Sequence, residues 1–266
     1  MSAAGQPLTG LAIDEPDLER RFGGLKRLYG PAGYARLRAA RFAVVGVGGV
    51  GSWAVEALAR SGVARLCLID LDQVAESNIN RQIQALDATL GMAKVEALRQ
   101  RIAGIHPGCQ VDLVEDFLSE DNLDQCLDPA ALDGVLDCCD QVRAKAVIAA
   151  WGLQHGVPVV SVGAAGGKCR PDLVEQADLA DVTHDPLLAS VRQRLRQRHG
   201  AARRGRIGLS CVFSREPVRP SQEQACETSP APGMALACHG YGSSVVVTAT
   251  FGMVAAAQLV NLIAAS

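Results

Sequence analysis

Residues 44–51 read V-V-G-V-G-G-V-G, and residues 66–70 read L-C-L-I-D. That order describes a buried strand, a glycine-rich turn, a helix, and a second strand ending in a carboxylate. Gly46 permits the tight turn, Gly48 lets the backbone approach a phosphate, and Gly51 lets the helix pack closely on the strand. Unpaired N–H groups and the positive dipole end at the helix N-terminus suit an anion. Asp70 lies nineteen residues after Gly51, where a carboxylate can accept hydrogen bonds from ribose hydroxyls. The turn alone could be merely structural, but with strand, helix and acidic residue in register it predicts a bound nucleotide.

The same fingerprint serves dinucleotide oxidoreductases, so the segment after it decides which nucleotide is meant. Residues 70–82 read D-L-D-Q-V-A-E-S-N-I-N-R-Q, and Lys94 follows in G-M-A-K-V-E-A-L. A dehydrogenase needs little here beyond its ribose carboxylate. An arginine and a lysine aimed at the glycine loop could instead neutralise a triphosphate and stabilise a departing pyrophosphate. The competing reading is that Arg81 and Lys94 are ordinary surface charges.

Around this segment the chain alternates. Strand-like runs recur at 42–45, 66–69, 111–114, 135–136 and 157–162, separated by helical patterns at 50–60, 94–105 and 144–155. The alternation predicts an α/β fold, a Rossmann-like, mostly parallel sheet with helices on both faces. Residues 1–17 read as a flexible N-terminal tail, 18–165 as the nucleotide-binding core, and 166–266 as a C-terminal extension completing the fold. Within that extension we expect a basic helix and loop (186–206), a mobile proline-containing loop (217–233) and an apolar terminal helix (242–264). Residues 228–266 carry no Asp, Glu, Lys or Arg. A span of ~20 apolar residues could cross a membrane, but Thr248, Thr250, Gln258 and Asn261 favour a buried helix.

Hydrophobic residues make up 48% of 266, enough for a sizeable core, and a net charge of −2 forecasts no overall attraction to nucleic acid. DNA is not an expected partner. Nine cysteines form no C-x-x-C pair, which excludes the usual tetrathiolate zinc spacing and a regular disulfide framework. With no secretory signal in the first twenty residues, reduced cysteines in a cytoplasmic protein are the expectation.

Charge is nevertheless concentrated. Seven arginines (192, 194, 196, 198, 203, 204 and 206) lie within fifteen residues, with no acidic residue between them. A solvated helix face is the usual explanation of such a run. Mutual repulsion among seven arginines favours a polyanion partner, bound through phosphates.

With V-G-V-G-G-V-G, N-I-N-R-Q, G-M-A-K and L-D-C-C-D in this order, the chain resembles the adenylating superfamily of ubiquitin-activating, ThiF and MoeB proteins. The stretches at 21–30, 49–62 and 247–254 narrow the resemblance to its tRNA-modifying dehydratases, which cyclise a threonylcarbamoyl-modified adenosine beside the anticodon. The resemblance implies ATP and Mg²⁺. It places Gly46, Gly48, Gly49 and Gly51 around the phosphates, Asp70 and Asp72 at the ribose, and Asn78, Arg81 and Lys94 on phosphate oxygens. Asp140, closing L-D-C-C-D, becomes the magnesium-linked carboxylate; read by itself it could equally cap the following helix. The arginine cluster then faces the anticodon stem-loop of tRNA.

A homodimer and a sulfur-mobilising protein partner are further implications. Relatives often insert an N-terminal arginine into the partner subunit's site. Here the usual R-x-x-R reads R-F-G-G, leaving Arg21 or Arg27 for that role. Cys238, in A-C-H-G-Y-G, sits where a relative could place a reactive thiol, or it is a packing cysteine. Three rivals stay open: adenylation of a ubiquitin-like sulfur carrier's C-terminus, an NAD-dependent oxidoreductase, and a non-catalytic tRNA-binding protein.

Overall fold

The computed structural model describes residues 16–219 and 241–266. Its strands are β1 (Arg41–Val45), β2 (Arg65–Ile69), β3 (Gln110–Val114), β4 (Gly134–Asp137), β5 (Val159–Val162), β6 (Val174–Asp178) and β7 (Ser210–Ser214). Its helices are α1 (Leu18–Ala39), α2 (Gly51–Arg60), α3 (Lys94–Ile105), α4 (Leu123–Cys126), α5 (Val142–His155), α6 (Pro186–Arg198) and α7 (Val245–Ala265). One seven-stranded sheet runs β3-β2-β1-β4-β5-β7-β6, parallel throughout except for β6 against β7.

All five expected strands are present. The run at 157–162 starts two residues late, at Val159, because Pro158 has no N–H to give the ladder. Two strands went unforeseen. β7 inserts between β5 and β6, and β6 is an edge strand whose V-E-Q-A-D carries no apolar run. The C-terminal extension therefore belongs to the same sheet.

Side chains of β1 alternate. Phe42 and Val44 join the core beneath α1, α2, α3 and α7, whereas Ala43 and Val45 join the core beneath α5 and α6. Period-two alternation with both sets buried makes a three-layer α/β/α sandwich. The strand order reverses between β1 and β4, and the crevice beyond their carboxyl ends is where ligands sit in such sheets.

The apolar helix α7 is long enough to span a bilayer, and one face of it packs into the core while Val246, Met253 and Leu262 stand exposed. Val247, Phe251, Ala255 and Leu259 are buried on one face. Gly252 is pressed against the Val50 carbonyl and the Ala54 amide of α2, a contact that admits no side chain. Arg36 of α1 donates to the terminal carbonyls of Ile263 (2.9 Å) and Ala264, capping a helix whose last turn holds no basic residue. Asp17 caps α1 through the Arg20 amide (3.0 Å) and so stands at a helix start; the rest of the expected tail, residues 1–15, lies outside the described residues. So do residues 220–233 of the expected loop, and Cys238.

Candidate nucleotide-binding site

The turn after β1 is held from both sides. Gly46 has φ +81°, and a Cβ there would meet backbone atoms of Cys138 and Cys139 at 2.8–2.9 Å, so only glycine fits. The Asp70 carboxylate accepts from the amides of Val47 (2.8 Å) and Asp72 (2.9 Å), bracing the turn it was expected to serve only as a ribose ligand. Burial pushes the Asp70 carboxyl up from its ordinary value, and the nearby Lys94 charge offsets part of that. Gly51 departs from its expected place around the phosphates. It does not line the cavity; a Cβ there would collide with the Gly46 carbonyl oxygen. Its contribution is the close packing of α2 on the turn.

A cavity of about 500 Å³ opens beyond the turn. Gly46, Gly48, Gly49, Asp70, Asp72, Asn78, Arg81, Lys94 and Asp140 all line it. The structure thus gathers residues that are up to 94 positions apart in the chain into one site.

The doubled glycine has a local explanation. The Arg81 side chain lies across Gly49, whose Cβ would stand 3.2 and 3.3 Å from Arg81 Cδ and Cγ. Above it the guanidinium donates to Ser77 O (2.6 Å) and Asn80 Oδ1 (2.9 Å). The Arg81 carbonyl accepts from the Trp53 indole N–H (2.9 Å) and the Thr248 hydroxyl (3.4 Å). One residue from α2 and one from α7 therefore hold this arginine's main chain. Asn78 is buried, its Oδ1 accepting from the Ala75 amide at 3.1 Å, which shapes the short turn leading to Arg81. Lys94 begins α3 as a buried ammonium, 2.7 Å from Asp72 Oδ2, so these two are paired until a more strongly charged ligand competes.

Asp140 stands exposed three residues beyond β4. It does not cap α5: the N-cap position is Gln141, with no side-chain hydrogen bond. Beneath it lies a group that the sequence reading passed over. Asp137, the last residue of β4, is fully buried, and its Oδ2 lies 3.1 Å from Lys145 Nζ. Ser161 Oγ donates to the same oxygen (2.6 Å). Burial acts to lower the Lys145 pKa, but the Asp137 carboxylate, with the Cys139 and Cys138 side chains beside it, holds the ammonium above the usual lysine value. A lysine set in A-K-A-V-I-A-A was the available signal.

No cluster of three or more metal-ligating side chains occurs among the described residues. Asp140 and Asp72 on the cavity wall fit a cation such as Mg²⁺, which takes one or two carboxylates and completes its shell with phosphate oxygens and water. Phe117, Tyr241 and the 163–166 stretch of G-A-A-G-G add further wall.

The arginine cluster lies elsewhere and divides. Arg192 is half-buried and donates to the carbonyls of Leu179 and Val182, both at 2.9 Å, so its guanidinium is committed inside the fold. The Arg194 Nε is buried. Arg196 donates to Ala202 O (3.1 Å), and Arg206 lies 3.8 Å from Asp178. The seven are therefore less unopposed than their sequence suggests. Arg198, Arg203 and Arg204 remain exposed, and a shallow depression lies among Arg192, Arg196 and Arg203. Of the N-terminal arginines, Arg21 donates to Ile105 O (2.8 Å) of its own chain, and Arg27 is exposed.

Comparison with known proteins agrees with this geometry. The ThiF family model matches residues 20–266. The Haemophilus influenzae tRNA threonylcarbamoyladenosine dehydratase is 40% identical over 91% of this chain and 93% of its own length. The Salmonella typhimurium molybdopterin-synthase adenylyltransferase is 39% identical, but over only 50% of this chain and 52% of its own. Among solved structures, the Escherichia coli tRNA N6-threonylcarbamoyladenosine dehydratase in complex with ATP superposes with a TM-score of 0.83, at 39% identity over 94% of this chain and 96% of that one. A family match over nearly the whole chain, together with near-complete coverage of the dehydratases, decides the assignment: the chain belongs to the ThiF family, alongside its tRNA threonylcarbamoyladenosine dehydratases.

Proposed function

We propose that this chain is the ATP-dependent enzyme that cyclises N6-threonylcarbamoyladenosine in tRNA. The observation that carries the reading is the convergence of Arg81, Lys94 and Asp140 with the glycine turn on one cavity. A dehydrogenase has no use for two cations and a further carboxylate there, so the NAD reading is set aside. A sulfur-carrier adenylating enzyme would use the same cavity but leaves the exposed arginines without a task.

The chemistry follows from position and charge. An oxygen of the substrate's threonyl carboxylate attacks the α-phosphorus of ATP. The bond from that phosphorus to the bridging oxygen breaks, and pyrophosphate leaves with the electron pair. Arg81 and Lys94 stabilise the charge that grows on the phosphates. Lys94 exchanges Asp72 for phosphate oxygens, freeing that carboxylate for the ribose or the cation. Mg²⁺, held by Asp140, would neutralise phosphate charge when bound. A nitrogen of the carbamoyl group then attacks the activated carbonyl, loses its proton and expels AMP, so that one water equivalent leaves the nucleoside. No enzyme nucleophile is needed, because ring closure is intramolecular and proximity does the rest.

The exposed arginines of 198–204 supply a phosphate-binding surface for the tRNA anticodon stem-loop. The reading includes a cytoplasmic homodimer, with the exposed apolar residues Leu28, Val246, Met253 and Leu262 on α1 and α7 as its contact surface. Arg27 is the N-terminal arginine left to reach across, Arg21 being engaged within its own chain.

The test is purified protein with ATP, Mg²⁺ and tRNA bearing the modified adenosine, followed by nucleoside mass spectrometry. Loss of one water with AMP formed is expected. An unchanged nucleoside mass would overturn the assignment.

A further inference from the structure

Among the described residues, no side chain aims Asp140. Its side chain is exposed, makes no hydrogen bond among the described residues and does not cap α5. Among the described residues its direction into the cavity is set by the peptides before it, and these are held from several sides. The Cys138 amide donates to Val45 O (2.8 Å). The 138–139 peptide lies against Gly46 Cα, closer than any side chain would allow. Below, all three donors of the Lys145 ammonium are spoken for: Asp137 Oδ2 (3.1 Å), the Asp137 carbonyl (3.1 Å) and Ser161 Oγ (3.4 Å). The other Asp137 oxygen accepts from Cys139 Sγ (3.0 Å).

We propose that Asp137, Lys145 and Ser161 form a buried positioning unit that aims Asp140 at the metal–nucleotide complex and fixes the wall against which the glycine turn packs. This rests on the adenylation reading above and names residues to which that reading gives no task.

The case against a merely stabilising role is energetic. Burying two charges forfeits their hydration, and a buried pair generally adds little net stability compared with apolar side chains of similar volume. What this pair does accomplish is directional. Lys145 on α5 grips both the side chain and the main-chain carbonyl of the residue at which β4 ends, while Ser161 on β5 fixes the carboxylate's rotation. Neighbouring strand and helix thus decide the direction in which the chain leaves the sheet. An apolar replacement could fill the space but could not hold the carbonyl.

The experiment removes both charges together, since losing one alone would strand the other. Asp137→Asn/Lys145→Met is compared with wild type by calorimetric titration of ATP, once with Mg²⁺ and once with EDTA, alongside AMP formation with modified tRNA. Groups that orient a metal's ligand typically change metal affinity or activity about 10–100-fold. We expect metal-free ATP affinity within about twofold of wild type, and the Mg²⁺-dependent gain in affinity to shrink by about tenfold or more, with turnover falling in parallel. A folded double variant that keeps the full Mg²⁺-dependent gain overturns the inference, as does equal loss with and without metal, which marks a simply damaged pocket. Should the double variant not fold, Ser161→Ala decides in its place. It leaves the charge pair intact and should reduce the gain by about threefold to tenfold, on the scale of one lost hydrogen bond; an undiminished gain overturns the inference. Wild-type protein that neither forms AMP nor gains affinity from Mg²⁺ would instead sink the adenylation reading, and the inference with it.

Discussion

Gly49→Ala should separate function from folding in this site. No positive φ marks Gly49, so alanine meets no backbone strain, and the loss of glycine's freedom in the unfolded chain contributes ~0.4–1 kcal/mol of stability. Against that stands the new methyl group, 3.2 and 3.3 Å from Arg81 Cδ and Cγ and 3.4 Å from Thr248 Cγ2. Those contacts are tight by a few tenths of an ångström, and the atoms that must yield belong to a flexible stem. The Arg81 main chain cannot follow, because Trp53 and Thr248 hold its carbonyl. The displacement therefore passes into the guanidinium and strains its bonds to Ser77 O and Asn80 Oδ1. Losing the better part of one such bond costs about 1 kcal/mol, and misplacing a reacting group by about 1 Å costs up to ~100-fold. We expect kcat to fall about tenfold to fiftyfold, with KM for ATP changing less than about threefold, and a melting temperature within about 3 °C of wild type. Steady-state AMP formation and differential scanning fluorimetry read the two. Gly51→Ala is the opposite control: its Cβ would strike the Gly46 carbonyl, so loss of folding is expected. If Gly49→Ala kept wild-type turnover, or lost stability as Gly51→Ala does, the assigned contact between Gly49 and Arg81 would be wrong.

Four further outcomes follow from the same geometry. Lys94→Met removes a buried ammonium whose partner Asp72 is 56% exposed and can rehydrate, so stability should change little. ATP affinity should drop about tenfold to a hundredfold, the scale of a hydrogen bond to a charged group; unchanged affinity by calorimetry removes Lys94 from the phosphate site. Arg203→Ser/Arg204→Ser should lower the salt dependence of tRNA binding by about two phosphate contacts in a filter-binding titration. Arg192→Ala should instead lower the melting temperature, because its guanidinium holds the Leu179 and Val182 carbonyls. Finally, burial first, and then the Arg38 and Arg21 charges, push the His106 pKa from 6.5 down to about 4. A depressed folded-state value means that stability is fully present above the unfolded value and is lost as pH falls from 6.5 toward 4. The full shift corresponds to ~3 kcal/mol, and solvent screening of the exposed Arg21 and half-exposed Arg38 charges reduces this to about 2 kcal/mol, or roughly 4–8 °C in melting temperature. His106→Gln should flatten that part of the pH–melting curve; an identical slope in both proteins would sink the assignment.

The parallel core was legible because its signals are local. β1, β2, β4 and β5 carry apolar runs and β3 alternates V-D-L-V, each bounded by turn residues, and glycine spacing marks the first crossover. β6 and β7 escaped for opposite reasons. The edge strand β6 needs one partner only and carries Glu175, Gln176 and Asp178. β7 is short and its Ser-Cys-Val-Phe-Ser lacks a sustained apolar run, although the fold buries its last four residues. The arginine run was legible as charge but not as geometry: which guanidinium turns inward depends on the carbonyls that α6 happens to face. Arg192 meets two of them.

The two aspartates of L-D-C-C-D mark the limit most clearly. Both look alike in sequence, a carboxylate near the end of a strand, and only Asp140 was read as functional. In the folded chain Asp140 is the exposed one, and among the described residues only backbone directs it. Asp137 is sealed off, and the lysine that neutralises it comes eight residues later from a helix whose pattern otherwise reads as plain core. A strand reading assigns Asp137 to a buried face, where an unpaired carboxylate would cost several kcal/mol. That cost was itself the usable signal, because a carboxylate forced into a sheet interior requires a cation within reach, and Lys145 is the residue of α5 that can supply one. Read that way, the motif describes one device in two parts. Its buried acid fixes the chain so that the exposed acid, which no described side chain holds, still points where charge has to be neutralised.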